Sequence, residues 1–208
     1  GMYSTPVTTN SIQGIGKFQG DVCHSAQFKD DSVAKGKNVV VVGGGKSAVD
    51  NSVSAASAGA SSTTLLFREA HWPVPRKLLN LIPFQWGTYS RFGHFMLHRH
   101  HDMDPASKLV HTVASPIKWA WWRIVETMFR IQFSLSKDLV PLTPIEVDLF
   151  NGGQILTYEF RDRLQAGGID AKKGEIASFT ETAVVLKDGA EIPTDRVVFG
   201  IGDTTSYS

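Results

Sequence analysis

The chain of 208 residues has one cysteine, Cys23, so it forms no internal disulfide and carries no C-x-x-C redox pair. A disulfide-reductase type of nucleotide domain is disfavoured on the same ground, since that chemistry needs two thiols. A lone thiol points to a reducing compartment, and the expected location is cytoplasmic. Charge of one sign is also missing: 21 Lys and Arg face 20 Asp and Glu, for a net charge of +1. Such a balance exerts no general pull on nucleic acid, and a basic site has to be local. No run reaches the roughly 18 apolar residues that span a bilayer, and a secretory leader is not expected. A membrane partner is therefore not expected. Gly1-Met2 reads as a glycine left ahead of a start methionine. Internal repeats, low-complexity tracts and an H-E-x-x-H metal motif are all lacking.

What is present is an ordinary globular composition, 42% hydrophobic and 20% charged. Residues 1–17 are rich in Ser, Thr and Gly and read as a linker or mobile arm. Val39-Val40-Val41-Val42 is an uninterrupted β-branched run, suited to a parallel strand covered on both faces. Gly43-Gly44-Gly45 breaks it. Lys46 to Ala58 is helix-compatible, Gly59 is placed as its C-terminal cap, and Thr63 to Phe67 is the next strand. Strand, glycine turn, helix and strand make a βαβ unit.

Gly43-Gly44-Gly45-Lys46-Ser47-Ala48 fits G-x-G-x-x-A at the head of that helix. Gly43 permits the tight turn, Gly45 lets backbone approach a pyrophosphate, and Ala48 keeps helix and strand close. Unpaired N–H groups and the positive end of the helix dipole then meet the diphosphate. At the end of the second strand an NAD or FAD site wants a carboxylate, but the chain offers Leu65-Leu66-Phe67-Arg68. A guanidinium suits a 2′-phosphate, which it pairs bidentately. NADP(H) is the expected cofactor. Glu69 follows at once, and in the ribose position it would shift the choice toward NAD. Lys46 and Arg76 are secondary phosphate candidates.

The stretch from Arg68 to Val140 holds all five tryptophans and six of the seven histidines. Tyr89 to His101 and Ile117 to Phe133 read as helices, within a helical insertion at about residues 77–140 of a domain spanning 18–208. The last third regains regular pattern at Ile145 to Leu149, with a helix near Tyr158 to Ala166. Ala183 to Leu186 and a strand around Ile192 flank Lys187-Asp188-Gly189, an Asp-Gly hairpin turn, and Arg196 to Phe199 is the final strand. The expected class is α/β: a Rossmann-like parallel sheet of the FAD/NAD(P)-binding type, with a helical insertion and a small β-meander.

Phe18, Gly20 and His24 fit F-x-G-x-x-x-H just ahead of the glycine turn. In this the chain resembles the flavin-containing and Baeyer–Villiger monooxygenases, whose fingerprint it is. Arg68-Glu69-Ala70-His71-Trp72 with Pro75-Arg76 is similar to that family's R-x-x-x-W…PR stretch, and Ser90-Arg91-Phe92-Gly93 to a short element of its animal-type branch. Phe179-Thr180-Glu181-Thr182, Asp188-Gly189 and Asp195-Arg196-Val197-Val198-Phe199 resemble its path into an A-T-G-Y hinge, here Gly200-Ile201-Gly202-Asp203. The resemblance implies an enzyme in which NADPH reduces FAD and a flavin hydroperoxide oxygenates nitrogen, sulfur or carbonyl substrates. It implies that Gly43, Gly45, Ser47 and Arg68 hold the nicotinamide cofactor, and that Phe18 and His24 belong to a linker coupled to the flavin. The family's first glycine motif, for FAD, is not in this sequence. FAD is expected only in a full-length protein, the FAD-binding domain being the missing partner and a small molecule the substrate, and the isolated chain is expected to be inactive. A stand-alone NADP(H)-binding module or sensor is the alternative.

His94, His98, His100 and His101 are dense but lack the carboxylate of a metal motif, so no metal is expected. Trp121 and Ile124 share one helical face, while Trp122 and Phe129 lie toward another. The surplus face is expected to meet the flavin half or a second copy in a homodimer.

Overall fold

The computed structural model describes residues 12–79, 81–88, 90–97, 103–135, 139–151, 154–155 and 158–200. In chain order the first half carries β1 (Asp21–His24), β2 (Asn38–Val42), α1 (Lys46–Ser57), β3 (Ser62–Phe67), β4 (Pro73–Val74), β5 (Lys77–Leu78), β6 (Ile82–Pro83), α2 (Phe84–Thr88) and α3 (Arg91–Met96). The second half carries α4 (Pro105–Val113), α5 (Ser115–Phe133), α6 (Ile145–Asn151), β7 (Gln154–Ile155), α7 (Tyr158–Gln165), β8 (Asp170–Lys173), β9 (Ile176–Phe179), β10 (Ala183–Leu186), β11 (Glu191–Pro193) and β12 (Arg196–Phe199). The chain divides into two units, one of residues 1–70 and 157–208 and one of residues 71–156.

The first unit is built on a five-stranded sheet in the order β1-β12-β2-β3-β8, parallel throughout. Parallel strands need cover on both faces, and the strand residues supply apolar side chains to each. Val40, Leu66, Val197 and Phe199 form one core with Phe179, Val184 and Leu186 of the antiparallel sheet β11-β10-β9. The alternate residues Val39, Val41, Leu65, Phe67 and Val198 are buried as well, and α1 packs on β2 and β3. Helix α1 approaches closely because its buried side chains are small: Ala48, Val49, Ser52 and Ala55. It stops at Ala58, and Gly59 follows at φ +86° with its carbonyl accepting from Gly36 N–H at 2.9 Å. The α/β class, the parallel sheet and the Asp188-Gly189 turn of the meander agree with the pattern of the sequence; Gly189 takes φ +86°.

Three boundaries differ. Of the arm expected over 1–17, residues 12–17 belong to the fold: Gln13 bridges Ser178, and Ile12 and Ile15 pack on the core shared with the meander. Strand β1 has no apolar alternation to announce it. It is held at the sheet edge by parallel pairing with β12 and by Asp21, whose carboxylate accepts from Arg196 at 2.7 Å. The insertion expected at 77–140 belongs to a unit that runs from 71 to 156.

That second unit has its own core, of Trp72, Val74, Met96, Trp122, Val125, Phe129 and Ile145. Both buried indoles are satisfied: Trp72 Nε1 donates to Thr143 O at 2.8 Å and Trp122 Nε1 to Met96 O at 3.0 Å. Glu126 joins α5 to α6, accepting from Ile145 N–H at 3.0 Å and pairing with Arg123 at 2.9 Å. Burial pushes its carboxyl above the usual carboxylate range, although the Ile145 N–H and the Arg123 guanidinium pull the other way. The helix read at Tyr89 to His101 is the six-residue α3, which ends in an extended Leu97; residues 98–101 lie outside the described ones. Ile145 to Leu149 lies within α6.

Candidate dinucleotide site

The glycine turn sits at the carboxyl end of β2. There the sheet's connections part: through α1 to β3 on one side, while β12 lies on the other. Open parallel sheets bind ligands in the crevice at such a switch point. Gly43 is fixed by the fold itself. Its φ is +144°, its N–H donates to Leu66 O at 2.8 Å, and an added Cβ would lie 2.6 Å from Gly200 O and 3.0 Å from Ala48 Cβ. Gly200, at the end of β12, is held as tightly, since a Cβ there would fall 2.7 Å from Ala48 Cα. Ala48 is fully buried between the two, and a larger side chain would part helix from sheet.

Gly45 differs. It is the N-cap of α1 at φ −87°, ψ 170°, a conformation open to any residue, and an added Cβ would meet none of the described residues within 4 Å. No side chain caps the helix, and among the described residues no acceptor is bonded to the N–H of Gly45, Lys46 or Ser47. The fold therefore needs Gly43 and Gly200, while the bare backbone at Gly45 exposes unpaired donors at the positive end of a 12-residue helix. A helix N-terminus of this kind can receive an anion. Gly44 is half-buried between them, and Ser47 is exposed on the first turn. Lys46, expected as a phosphate candidate, turns along its own helix to Asp50, at 2.7 and 2.9 Å. Asp50 thereby offsets the unfavourable lysine at the helix N-terminus.

Arg68 is the first residue past β3 and is exposed, with no ion pair or hydrogen bond among the described residues. Glu69 beside it is exposed too. Strand β8 completes this corner. Lys172 and Lys173 stand in register with Leu66 and Phe67, and Gly174 N–H donates to Phe67 O at 2.9 Å. The two lysines were not singled out in the sequence, where Ala-Lys-Lys-Gly-Glu carries no signal of what it pairs with. Glu175 follows. Its carboxylate is held below the ordinary range by the hydrogen bond and charge of Lys187, and weakly by Arg68. Arg76 lies in the other unit and is exposed.

The fingerprint residues have structural roles. Phe18 stacks at a tilt on Phe179, ring centres 5.3 Å apart. Gly20 has no room for a side chain: a Cβ would lie 2.4 Å from Asp195 O and 2.5 Å from the Phe18 ring. His24 closes β1 with a capping box, its Nδ1 accepting from Ala26 N–H at 3.2 Å while its own N–H donates to Gln27 Oε1 at 3.0 Å. An accepting Nδ1 places the neutral ring's proton on Nε2. Trp72 of the R-x-x-x-W stretch is buried, its N–H donating to Asp148 at 2.6 Å while His71 contacts the same carboxylate at 2.8 Å. His98, His100, His101 and residues 201–203 of the hinge lie outside the described residues. Among the described ones no group of three His, Cys, Asp or Glu could hold a metal.

A family model described as flavin-binding monooxygenase-like matches residues 2–208. The chain belongs to this family. It is 28% identical over 202 residues to flavin-containing monooxygenase 3 of Macaca mulatta, covering 95% of this chain and 34% of that protein. It is 30% identical over 198 residues to dimethylaniline monooxygenase [N-oxide-forming] 2 of Rattus norvegicus, covering 95% and 33%. The chain thus spans about a third of the length of the curated relatives it matches. The fold is that of OTEMO in its complex with FAD and NADP, with a TM-score of 0.64 at 14% identity over 97% of this chain and 46% of that one. Among the described residues of this flavin-binding monooxygenase-like chain, no helix is long and apolar enough to cross a membrane.

Proposed function

We propose that this chain is the NADP(H)-holding part of a flavin-dependent monooxygenase. The observation that carries the proposal is the opening at Gly45, where unpaired N–H groups of the α1 N-terminus face space that no side chain of the described residues fills. The diphosphate would lie over Gly44, Gly45 and Ser47, with Gly43 and Gly200 keeping the crevice between β2 and β12 tight enough to hold the turn in place. Arg68 would take the 2′-phosphate, supported by the exposed Lys173 on the neighbouring strand. Glu69 stands next to Arg68 without replacing it, so the preference is for NADP(H). Lys46 contributes little, being held by Asp50. When bound, the nicotinamide supplies hydride for a flavin carried by the rest of a longer protein. The chain's own residues bind, orient and keep water from that exchange. Neither the family nor the described residues single out a group that protonates substrate, and oxygenation of nitrogen, sulfur or carbonyl centres is the activity proposed for the whole protein.

Titration calorimetry of the chain with NADP+ and NAD+ tests this. NADP+ should bind more tightly, and Arg68→Ala should remove most of the difference at a cost of about 1.5–3 kcal/mol for a charge-assisted contact. Equal affinity for the two in the unmodified chain would overturn the assignment.

A further inference from the structure

Near Arg68 lies an acid, Glu175, that feels the charge of the guanidinium without forming an ion pair with it among the described residues. Gly174 N–H donates to Phe67 O at 2.9 Å, so the residues one step further along each strand, Glu175 and Arg68, are neighbours past the sheet edge. A carboxylate beside an otherwise unpaired arginine is a ready substitute for a 2′-phosphate. It does not take that role, because it is engaged from the other side. Lys187 forms an ion pair with Glu175 through its Nζ, and its N–H donates to Glu175 O at 2.9 Å. The lysine is delivered by the hairpin turn of the meander. Gly189 at φ +86°, Asp188 Oδ1 accepting from Ala190 N–H at 2.9 Å and a register shift between Val185 and Leu186 together bring Lys187 to the connection between β8 and β9.

We infer that Lys187, through Glu175, sets the preference for the 2′-phosphorylated cofactor: by claiming the carboxylate it leaves Arg68 available to the phosphate. Lys187 is a positioning residue that touches no part of the cofactor. The inference rests on Arg68 being the phosphate ligand. It also gives the meander a share in cofactor choice.

A mutant cycle read by calorimetry with NADP+ and NAD+ separates the possibilities. Lys187→Met should weaken NADP+ binding about three- to fivefold, the upper end of an exposed ion-pair effect, and leave NAD+ unchanged. Glu175→Gln should bind NADP+ at least as well as the unmodified chain, and adding Lys187→Met to it should then have no further effect. The same loss from Lys187→Met with and without Glu175 would show a plain long-range cation and overturn the inference, as would no loss at all. Arg68→Ala included in the series keeps the two claims apart. If it abolishes the NADP+ preference while Lys187→Met does not, only the coupling fails. If Arg68→Ala changes nothing, the phosphate assignment fails and the coupling with it.

Discussion

At the scale of single residues, the glycines of one motif divide by what crowds them. Gly43 and Gly200 are enclosed by backbone and by Ala48, whereas no described residue crowds Gly45. Gly43→Ala would strain a positive φ and meet the Gly200 carbonyl, and should cost about 2–4 kcal/mol in denaturant unfolding. Gly200→Ala should cost about 1–3 kcal/mol through its contact with Ala48, and urea midpoints would rank the two. Cys23 gives a pH prediction. Burial raises its thiol above the ordinary value, which the nearby Arg196 only partly offsets. A raised native pKa favours the protonated thiol in the fold. Its contribution is complete below the ordinary thiol pKa and is lost as pH rises through the native one. Alkylation of Cys23 should lag behind that of a free cysteine peptide as pH is raised, and thermal stability should fall over that same alkaline range. Of these features the sequence showed the turn and Arg68, because both are local. The corner formed by Lys173, Glu175 and Lys187 is set by β8 pairing with β3 across about a hundred residues, and no local pattern announces it.

Among the elements, legibility followed burial. The β-branched run of β2 and the small-residue face of α1 could be read because both faces of one and one face of the other are covered. Strand β1 could not: Asp-Val-Cys-His is short, sits at the sheet edge and is held by Arg196 from far along the chain. The two-residue strands β4 and β7 pair with each other across the whole insertion and are equally silent in sequence. Helix α5 was legible in type and nearly in extent, and its faces separate only in part: Trp122 and Phe129 are buried and Ile124 is 53% exposed, but Trp121, expected beside Ile124 on a surplus face, packs against the core and stands edge-on to Phe92. Its join to α6 depends on one side chain. Glu126→Ala would leave the Ile145 N–H and part of the Arg123 guanidinium unpartnered, and should destabilise by about 1–3 kcal/mol in chemical unfolding. Glu126→Gln, which keeps the acceptor for Ile145, should recover much of that loss.

Across the whole molecule, two separate cores imply two separable responses. Phe129→Ala removes a fully buried ring from the core of residues 71–156 and should cost about 3–5 kcal/mol there. Amide hydrogen exchange should rise across α5 and α6, while β2 and β3 keep their protection. Leu66→Ala should produce the reverse pattern. We propose that the first unit offers a bare helix N-terminus to a dinucleotide, and the side chain missing at Gly45 gives the sharpest probe of it. Gly45→Val fills the opening without meeting any protein atom of the described structure and alters an N-cap by no more than about 1 kcal/mol. Calorimetry on this variant should show binding of NADP+ and NAD+ reduced at least about tenfold, the loss expected when the diphosphate forfeits a charge-assisted contact, with the melting temperature nearly unchanged. NADP+ bound by Gly45→Val as tightly as by the unmodified chain would contradict the account.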